Sequence, residues 1–502
     1  MRLIPVENEL SLPDQVEDEG LIVGWSLERE HRRRPIGFTF GQAAADPGVD
    51  TLAPILMERE GHLMTIAPTG AGKGTGCIVP ALLRFDGPVI VIDPKGENAL
   101  MTARRRRELG QAVAIIDPMG VTGLDAASLN PLDVLDPDSP TFVDDAMAIV
   151  SALSAPNVAA DVSDGGYWRE RGATFVLGVL LHVVSDLPPA QRHLETVRML
   201  VNQAVGEVGA YSAAVERPQG ESALAGTVLH ALEASRNAEA RDIGRMLRIG
   251  AVSTLGGILS FSQNIVDVVR SGMIAPAIRT TSFDLGAVQR GDPLSIYLVL
   301  PPHMLESHGR LLRLWVHVLM TQISGRSGRP QKSTLFILDE AAQLGAFDDL
   351  RRAITLLRGY GLQTWSFWQD PSQLMTLYPR DWQTMVNNCR AIQCFGANTM
   401  LAAEAMASLV GFGSPEHLLD LEDDEILLQL SGDLPVIARL PNYRADPVFA
   451  SLFDANPFHD PTRPVQNRVR RLFERAPASR PTAYPVETPA EVLATLKAKA
   501  NP

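Results

Sequence analysis

A series of short segments that are apolar almost throughout constrains this chain most. They are "GHLMTIAPTG" (Gly61 to Gly70), "GPVIVIDPKGE" (Gly87 to Glu97), "QAVAIIDPMG" (Gln111 to Gly120), "PLSIYLVLPP" (Pro293 to Pro302), "STLFILDEAAQLG" (Ser333 to Gly345), "QTWSFWQD" (Gln363 to Asp370) and "RAIQCFGAN" (Arg390 to Asn398). Strands of this kind, "GPVIVIDPKGE" being apolar throughout, read as buried on both faces. Helical patterns lie between them, which is the arrangement of an α/β, doubly wound, mainly parallel sheet. The longest apolar run, "ATFVLGVLLHVV" (Ala173 to Val184), falls short of the roughly 20 residues that cross a bilayer as a helix. It reads as a buried helix.

The strand patterns stop between about Asp136 and Gly250. There the sequence is helix after helix, "TFVDDAMAIVSALS", "YWRERGATFVLGVLLHVV", "LETVRMLVNQAV" and "GTVLHALEAS". The expected organisation is an N-terminal extension over 1–54, a nucleotide-binding domain split into 55–135 and 251–455, an all-α insert over 136–250, and a C-terminal tail over 456–502. The tail is rich in Pro and Arg and is expected to be mobile. Within it "RVRRLFER" (Arg468 to Arg475) has the spacing of an amphipathic basic helix suited to a partner, an anionic membrane or DNA. The first residues carry no apolar segment of the signal-peptide kind, so the chain is expected in the cytoplasm. A net charge of -13 means that any nucleic-acid surface must be local. Three scattered cysteines, Cys77, Cys389 and Cys394, suggest buried apolar residues and no disulfide framework.

The stretch "APTGAGKGTG" (Ala67 to Gly76) breaks the phosphate-loop pattern G-x-x-x-x-G-K-[ST] twice, with Ala67 at the first glycine and Gly74 at the hydroxyl position. Its chemistry survives the departures. Thr69, Gly70, Ala71, Gly72, Lys73, Gly74 and Thr75 supply a flexible backbone of N–H donors, an ammonium and a helix N-terminus, which together suit a polyphosphate. Thr75 lies one position late. Either it replaces the missing magnesium ligand through a shifted helix start, or a water does so. The strand "LFILDE" ends in two acids, of which Asp339 is expected to reach Mg2+ and Glu340 to orient the attacking water. A nucleoside triphosphate with Mg2+ is therefore the expected ligand, with Thr75 and Asp339 on the metal; the family resemblance given below makes the nucleotide ATP. "DPKGE" (Asp93 to Glu97) leaves two readings open for Lys95 and Glu97: contact with phosphate, or a turn held by side chains. "ARRRRELG" (Ala103 to Gly110) likewise reads as a solvated helix face or as a stripe for a subunit or DNA.

Taken in order, "APTGAGKGTGCIVPALL", "VIDPKGE", "FILDEAAQLG", "GYGLQTWSFWQDPSQL", "NNCRAIQCFGAN" and "GDLPVIARLPNYRADP" resemble the VirD4/TraG coupling ATPases of type IV secretion and conjugation. The resemblance runs from about Leu52 to Pro447 and includes the helix of Trp168 and Ala173. It implies a RecA-like P-loop NTPase domain interrupted by the all-α insert, and a G-K-G loop is a common variant in that family. Carried over residue by residue, it makes Lys73 the phosphate-loop lysine, Asp339 and Glu340 the acidic pair, Arg358 an arginine finger for a neighbouring subunit, and Gln369 a polar group beside the γ-phosphate. It also implies a homo-oligomer, a hexamer on assembly. The ring would deliver relaxase-bound single-stranded DNA or an effector protein to the secretion channel components at the cytoplasmic face of the bacterial inner membrane. Family members usually begin with transmembrane helices, and this sequence shows none. Either a separate membrane anchor protein recruits it or an N-terminal anchor has been removed. Two other readings are a docking platform with negligible turnover and a double-stranded DNA translocase of the FtsK/HerA group.

Overall fold

The computed structural model describes residues 2–17, 20–29, 51–57, 60–154, 166–213, 227–248, 252–459 and 469–474. Its strands are β1 (Arg2–Leu10), β2 (Leu21–Ser26), β3 (Glu28–Arg29), β4 (Pro54–Met57), β5 (His62–Ile66), β6 (Val89–Ile92), β7 (Ala112–Ile116), β8 (Leu294–Leu298), β9 (Thr334–Leu338), β10 (Leu362–Trp368), β11 (Cys389–Cys394), β12 (Glu425–Leu430), β13 (Val436–Arg439) and β14 (Val469–Glu474). The main sheet has the order β4-β2-β13-β12-β11-β5-β10-β9-β6-β8-β7. From β11 to β7 every neighbouring pair is parallel. From β11 to β4 every pair is antiparallel. The apolar segments read from the sequence form the parallel part, and β5, β6, β8, β9 and β10 are buried at every position.

The helices that begin this framework are α1 (Val79–Arg84), α2 (Glu97–Glu108), α3 (Phe142–Ser154), α4 (Gly166–Asp186), α5 (Leu194–Ala213), α6 (Val228–Glu233), α7 (Ala238–Arg248), α8 (Val252–Val266), α9 (Ala275–Arg279), α10 (Gly286–Arg290), α11 (Pro302–Ser324) and α12 (Asp348–Leu356). In α4 the apolar run is core: Phe175, Val176, Leu180, Leu181 and Val183 are fully buried. Because α8 packs against both α4 and α5, the helical region does not close at 250 but continues to Arg290, directly before β8. Among the described residues no helix is long and apolar enough to cross a membrane.

Both chain ends contribute strands, and the C-terminal one differs from expectation. The N-terminal region joins the main sheet through β2 and β4, and buried Trp25 donates its indole N–H to Asp446 at 2.8 Å. Asp446 also accepts from the buried Arg439 guanidinium at 3.0 Å. This places a charge-assisted bond beneath the C-terminal segment. The segment read as a basic amphipathic helix is instead β14, antiparallel to β1 and parallel to β3. Burial on both strand faces accompanies it: Val469 and Phe473 are buried on one face and Leu472 on the other, while Arg471 reaches the Glu425 carboxylate at 2.8 Å. Arg468, Arg475 and the rest of the tail lie outside the described residues, as does 460–467.

The arginine run also resolves differently from either reading. Arg106 is fully buried and donates to Ser295 Oγ (2.9 Å) and to the carbonyls of Leu82 (3.1 Å), Phe85 and Gly87 (2.6 Å). Arg104 pairs with Asp454 at 2.8 Å and with Glu108. It is an internal fastening of the sheet, with Arg107 left exposed. All three cysteines are free and buried.

Candidate nucleotide-binding site

Where β5 ends, Ala67 turns inward and its N–H bonds the Trp368 carbonyl of β10 at 2.9 Å. A glycine is not required there. Gly70 and Gly72 take φ of 82° and 96°, the left-handed region that a Cβ disfavours, and they lift the loop clear of the sheet. The chain then enters a wide π turn over Gly74–Ile78, with Val79 N–H bonded to Gly74 O, before α1 begins. Pro80 lacks an N–H and cannot continue a regular ladder back through the turn. The Thr75 carbonyl accepts instead from Tyr443 N–H at 3.3 Å. A Cβ added at Gly74 would meet nothing within 4 Å, so a hydroxyl residue has room there and is simply missing. Thr75 reaches the cavity wall from within this wide turn.

A cavity of about 290 Å3 opens over this loop at the carboxyl ends of β5, β9 and β6. Thr69, Gly70, Gly72, Lys73, Gly74, Thr75, Asp339 and Glu340 all line it. Lys73 is buried, and its ammonium donates to the carbonyls of Ala67 at 2.9 Å and Pro68 at 3.3 Å. Burial lowers its pKa, opposed by the negative charges of Asp339 and Glu340. Desolvation, reinforced by Glu340, pushes the Asp339 carboxyl up to about 6. A carboxylate held at that cost gains most from a nearby cation. Glu340 sits at φ 56°, an uncommon conformation for a residue other than glycine, and its carboxylate accepts from Gln343. Backbone strain of this kind costs about 1–3 kcal/mol and persists where the surrounding fold enforces it.

The residues suit a nucleoside triphosphate with magnesium. The glycine cradle is open, with no atom within 4 Å of a Cβ at Gly70 or Gly74. Thr75, which carries a hydroxyl, and Asp339, which carries a carboxylate, line the same volume. Among the described residues no three His, Cys, Asp or Glu side chains gather as a metal cluster. Mg2+ bound mainly by phosphate oxygens and waters needs only one or two protein ligands.

Other expected residues lie elsewhere. Ala71 lines a second cavity, of about 390 Å3, on the other side of the loop. Gln369 follows β10 at the same edge as Lys73 and Asp339, with its N–H bonded to Gln373 Oε1 at 2.9 Å, but it does not line the cavity. Arg358 is exposed at the opposite edge, before β10 begins, where it donates to the Glu60 carbonyl at 3.1 Å. It cannot serve the cavity of its own chain. Conversely, Asp93, Asn98, Met101, Pro302, Tyr443 and Asn456 line the cavity without having been singled out, and Lys95 and Glu97 join them. Asp93, buried at the end of β6, accepts from Ala99 N–H at 2.8 Å and Asn98 Nδ2 at 3.2 Å, and burial pushes its pKa up to about 7. The strand-end acid in "VIVIDP" was a usable signal for Asp93. Nothing in local spacing signals Tyr443 or Asn456, which return from the far end of the chain.

A model of the family described as "Type IV secretory system Conjugative DNA transfer" matches residues 27–412. The chain belongs to this family. Its members among similar proteins include the conjugal transfer protein TraG of Escherichia coli, 24% identical over 368 residues, covering 70% of this chain and 55% of that protein. VirD4 of Agrobacterium fabrum is 26% identical over 323 residues, covering 63% and 44%. The chain thus spans about half the length of the curated relatives it matches. Among solved structures, the bacterial conjugative coupling protein TrwBdeltaN70 in its unbound monoclinic form has a TM-score of 0.55 at 15% identity, covering 77% of this chain and 87% of that one. TrwB in complex with a non-hydrolysable ATP analogue has a TM-score of 0.54 at 16% identity, covering 76% and 85%. The fold of this conjugative DNA transfer family member is accordingly that of a RecA-like P-loop NTPase, with α/β layers around a mostly parallel sheet.

Proposed function

We propose that this chain is an ATP-hydrolysing coupling protein that brings relaxase-bound single-stranded DNA, an effector protein, or both to a type IV secretion or conjugation channel. The observation that carries the reading is the convergence of Lys73, Thr75, Asp339 and Glu340 on one cavity at the carboxyl edge of the parallel sheet. Lys73 draws the phosphates onto the loop amides, and Glu340 orients water for attack. Mg2+, held by Thr75 and Asp339, would neutralise charge on the transferring phosphoryl group.

The position of Arg358 supports a shared active site. Exposed on the edge remote from its own cavity, it is available to a neighbouring copy, in which a guanidinium stabilises the charge of the transition state. Gln369, beside the loop strand, senses whether the γ-phosphate is present. In this reading the working form is a homo-hexamer at the cytoplasmic face of the inner membrane, joined to the channel components through a membrane anchor.

Steady-state ATP hydrolysis over a range of protein concentrations, with and without single-stranded DNA, tests the proposal. Turnover should rise more than linearly with protein, be stimulated by DNA, and vanish in Lys73→Ala and in Arg358→Ala. An Arg358→Ala protein of unchanged turnover would refute the shared site, and bound nucleotide without turnover under every condition would refute the motor.

A further inference from the structure

The wide turn over Gly74–Ile78 leaves one carbonyl without a partner inside the helix. Val79 N–H goes to the Gly74 carbonyl, five residues back, so it is withdrawn from the Thr75 carbonyl that it would meet in an α-helix. Pro80, the next residue in line, has no N–H to offer. A carbonyl left so in a half-buried turn costs free energy unless a donor comes from elsewhere in the fold. It comes from the far end of the chain, as the Tyr443 N–H at 3.3 Å. Beside it the Leu440 side chain packs on Gly76 so closely that no Cβ would fit there.

Two hydrogen-bonded paths tie this turn to β2. In the first, Asp446 gathers the segment that carries Leu440 and Tyr443. Its buried carboxylate accepts from Asn442 N–H at 2.9 Å, from Arg439 Nη1 at 3.0 Å and from Trp25 Nε1 at 2.8 Å. Its own N–H returns to the Asn442 carbonyl at 2.8 Å. In the second path, the Val23 carbonyl of β2 accepts from Gln393 Nε2 at 2.8 Å, while Gln393 Oε1 accepts from Cys77 Sγ at 3.3 Å and from Thr65 Oγ1 at 2.7 Å. Cys77 lies inside the turn, and Thr65 lies in the strand that leads to it. Val23, Trp25, Gln393 and Asp446 are all buried, so removing one partner strands the other away from water.

We propose that β2 and the segment Leu440–Asp446 form a clasp that holds the phosphate loop in its π turn, with Trp25 and Asp446 as positioning residues that set Thr75 against the metal site. This rests on the reading of Thr75 as a magnesium ligand and adds what keeps it in place. A loop with a hydroxyl residue at position 74 needs no such support, because its ligand follows the lysine directly. Here the ligand stands one residue later, and the turn that carries it is completed by a donor from outside the helix. The clasp acts from a distance. In the sheet, β13, β12 and β11 stand between β2 and β5, and Trp25 and Asp446 lie outside the cavity wall.

Two measurements on the full chain test the clasp, the first without nucleotide or metal. Trp25→Phe keeps a ring in place and removes the indole N–H. Hydrogen exchange should then speed up about tenfold at the amides of 74–79 and 442–446 and stay unchanged in β6 and β9. In calorimetry, the factor by which Mg2+ strengthens ATP binding over binding in EDTA should fall about tenfold in Trp25→Phe, with the affinity in EDTA unchanged. Gln393→Leu cuts the second path and should reproduce both changes. Gly74→Ser, which puts a hydroxyl where a Cβ meets nothing within 4 Å, should restore the magnesium factor in the Trp25→Phe background. A general loss of structure would not be repaired in that way. Unchanged exchange over 74–79 in both variants, or a lowered magnesium factor that Gly74→Ser leaves unrepaired, would overturn the clasp. Thr75→Val reports on the underlying reading and should lower the magnesium factor by itself. A full factor in that variant would overturn Thr75 as the ligand, and the role of the clasp at the metal with it, even where the exchange result stands.

Discussion

The two edges of the parallel sheet both bury charge, yet they do so in opposite ways. At the amino edge, Arg106 and Arg326 are buried, and burial lowers both to about 10. Arg326 donates to the carbonyls of Val288 (2.8 Å), Gln289 (3.2 Å), Tyr360 (2.8 Å) and Gly361 (3.2 Å) and to Thr334 Oγ1 (2.8 Å). Arg106 does the same around the starts of β6 and β8. At the carboxyl edge, Lys73, Asp93 and Asp339 instead line the cavity, with Lys73 held by the Ala67 and Pro68 carbonyls and Asp93 by Asn98 and the Ala99 N–H. A buried charge whose bonds close within the protein holds strands together. One whose capacity is turned toward a cavity is poised for a ligand.

The contrast breaks first, if it is false, at Arg106. Arg106→Leu strands several buried carbonyls at once and should cost about 3 kcal/mol or more of unfolding free energy in urea titrations, without changing the affinity for tripolyphosphate of whatever protein remains folded. Next comes Gly76→Ala, whose Cβ would strike Leu440 at 2.3 Å and should destabilise by about 1–3 kcal/mol. Pairing it with Leu440→Ala should recover part of that loss, a coupling that a double-mutant cycle measures.

Lys73→Met sharpens the comparison from the other side. It should abolish detectable ATP binding in calorimetry while changing unfolding free energy by less than about 1 kcal/mol. The smallest effect concerns pH. The Asp93 carboxyl rises from 3.8 in the unfolded chain to about 7 in the fold. The native state therefore binds more protons at this group across that window, and the contribution of Asp93 to stability without nucleotide should be fully present below about pH 4 and be lost as pH rises toward 7. Asp93→Asn should flatten the slope in urea titrations at several pH values. An unchanged slope would place the charge burden elsewhere.

How much was legible follows from the range of the forces involved. Strands buried on both faces announce themselves by continuous apolar runs, and the loop from Ala67 to Gly76 and the acids closing β9, both legible in the sequence, line one cavity. Those signals are local, because a few consecutive residues carry the backbone geometry and the charge. The arginine run resisted reading because one of its members, Arg106, points inward to carbonyls of α1 and of the turn before β6 and to the Ser295 hydroxyl of β8. The basic stretch at 469–474 misled for a similar reason. Its spacing fits a helix as a peptide, while pairing with β1 and burial of Leu472 and Phe473 make it a strand.

By itself the sequence determined the class of sheet and the family, and it pointed to a nucleotide domain split by helices and to a lysine and an acidic pair that the fold brings to one cavity. Only tertiary structure decided that Thr75 reaches the cavity through a π turn, that Arg358 lies on the edge away from its own site, and that Tyr443 and Asn456 complete a wall begun by Glu97 and Met101. Apolar periodicity and loop chemistry are written in neighbouring residues. The meeting of α2 with a segment that follows it by hundreds of residues depends on how the whole chain closes its core, for which no short stretch carries the information.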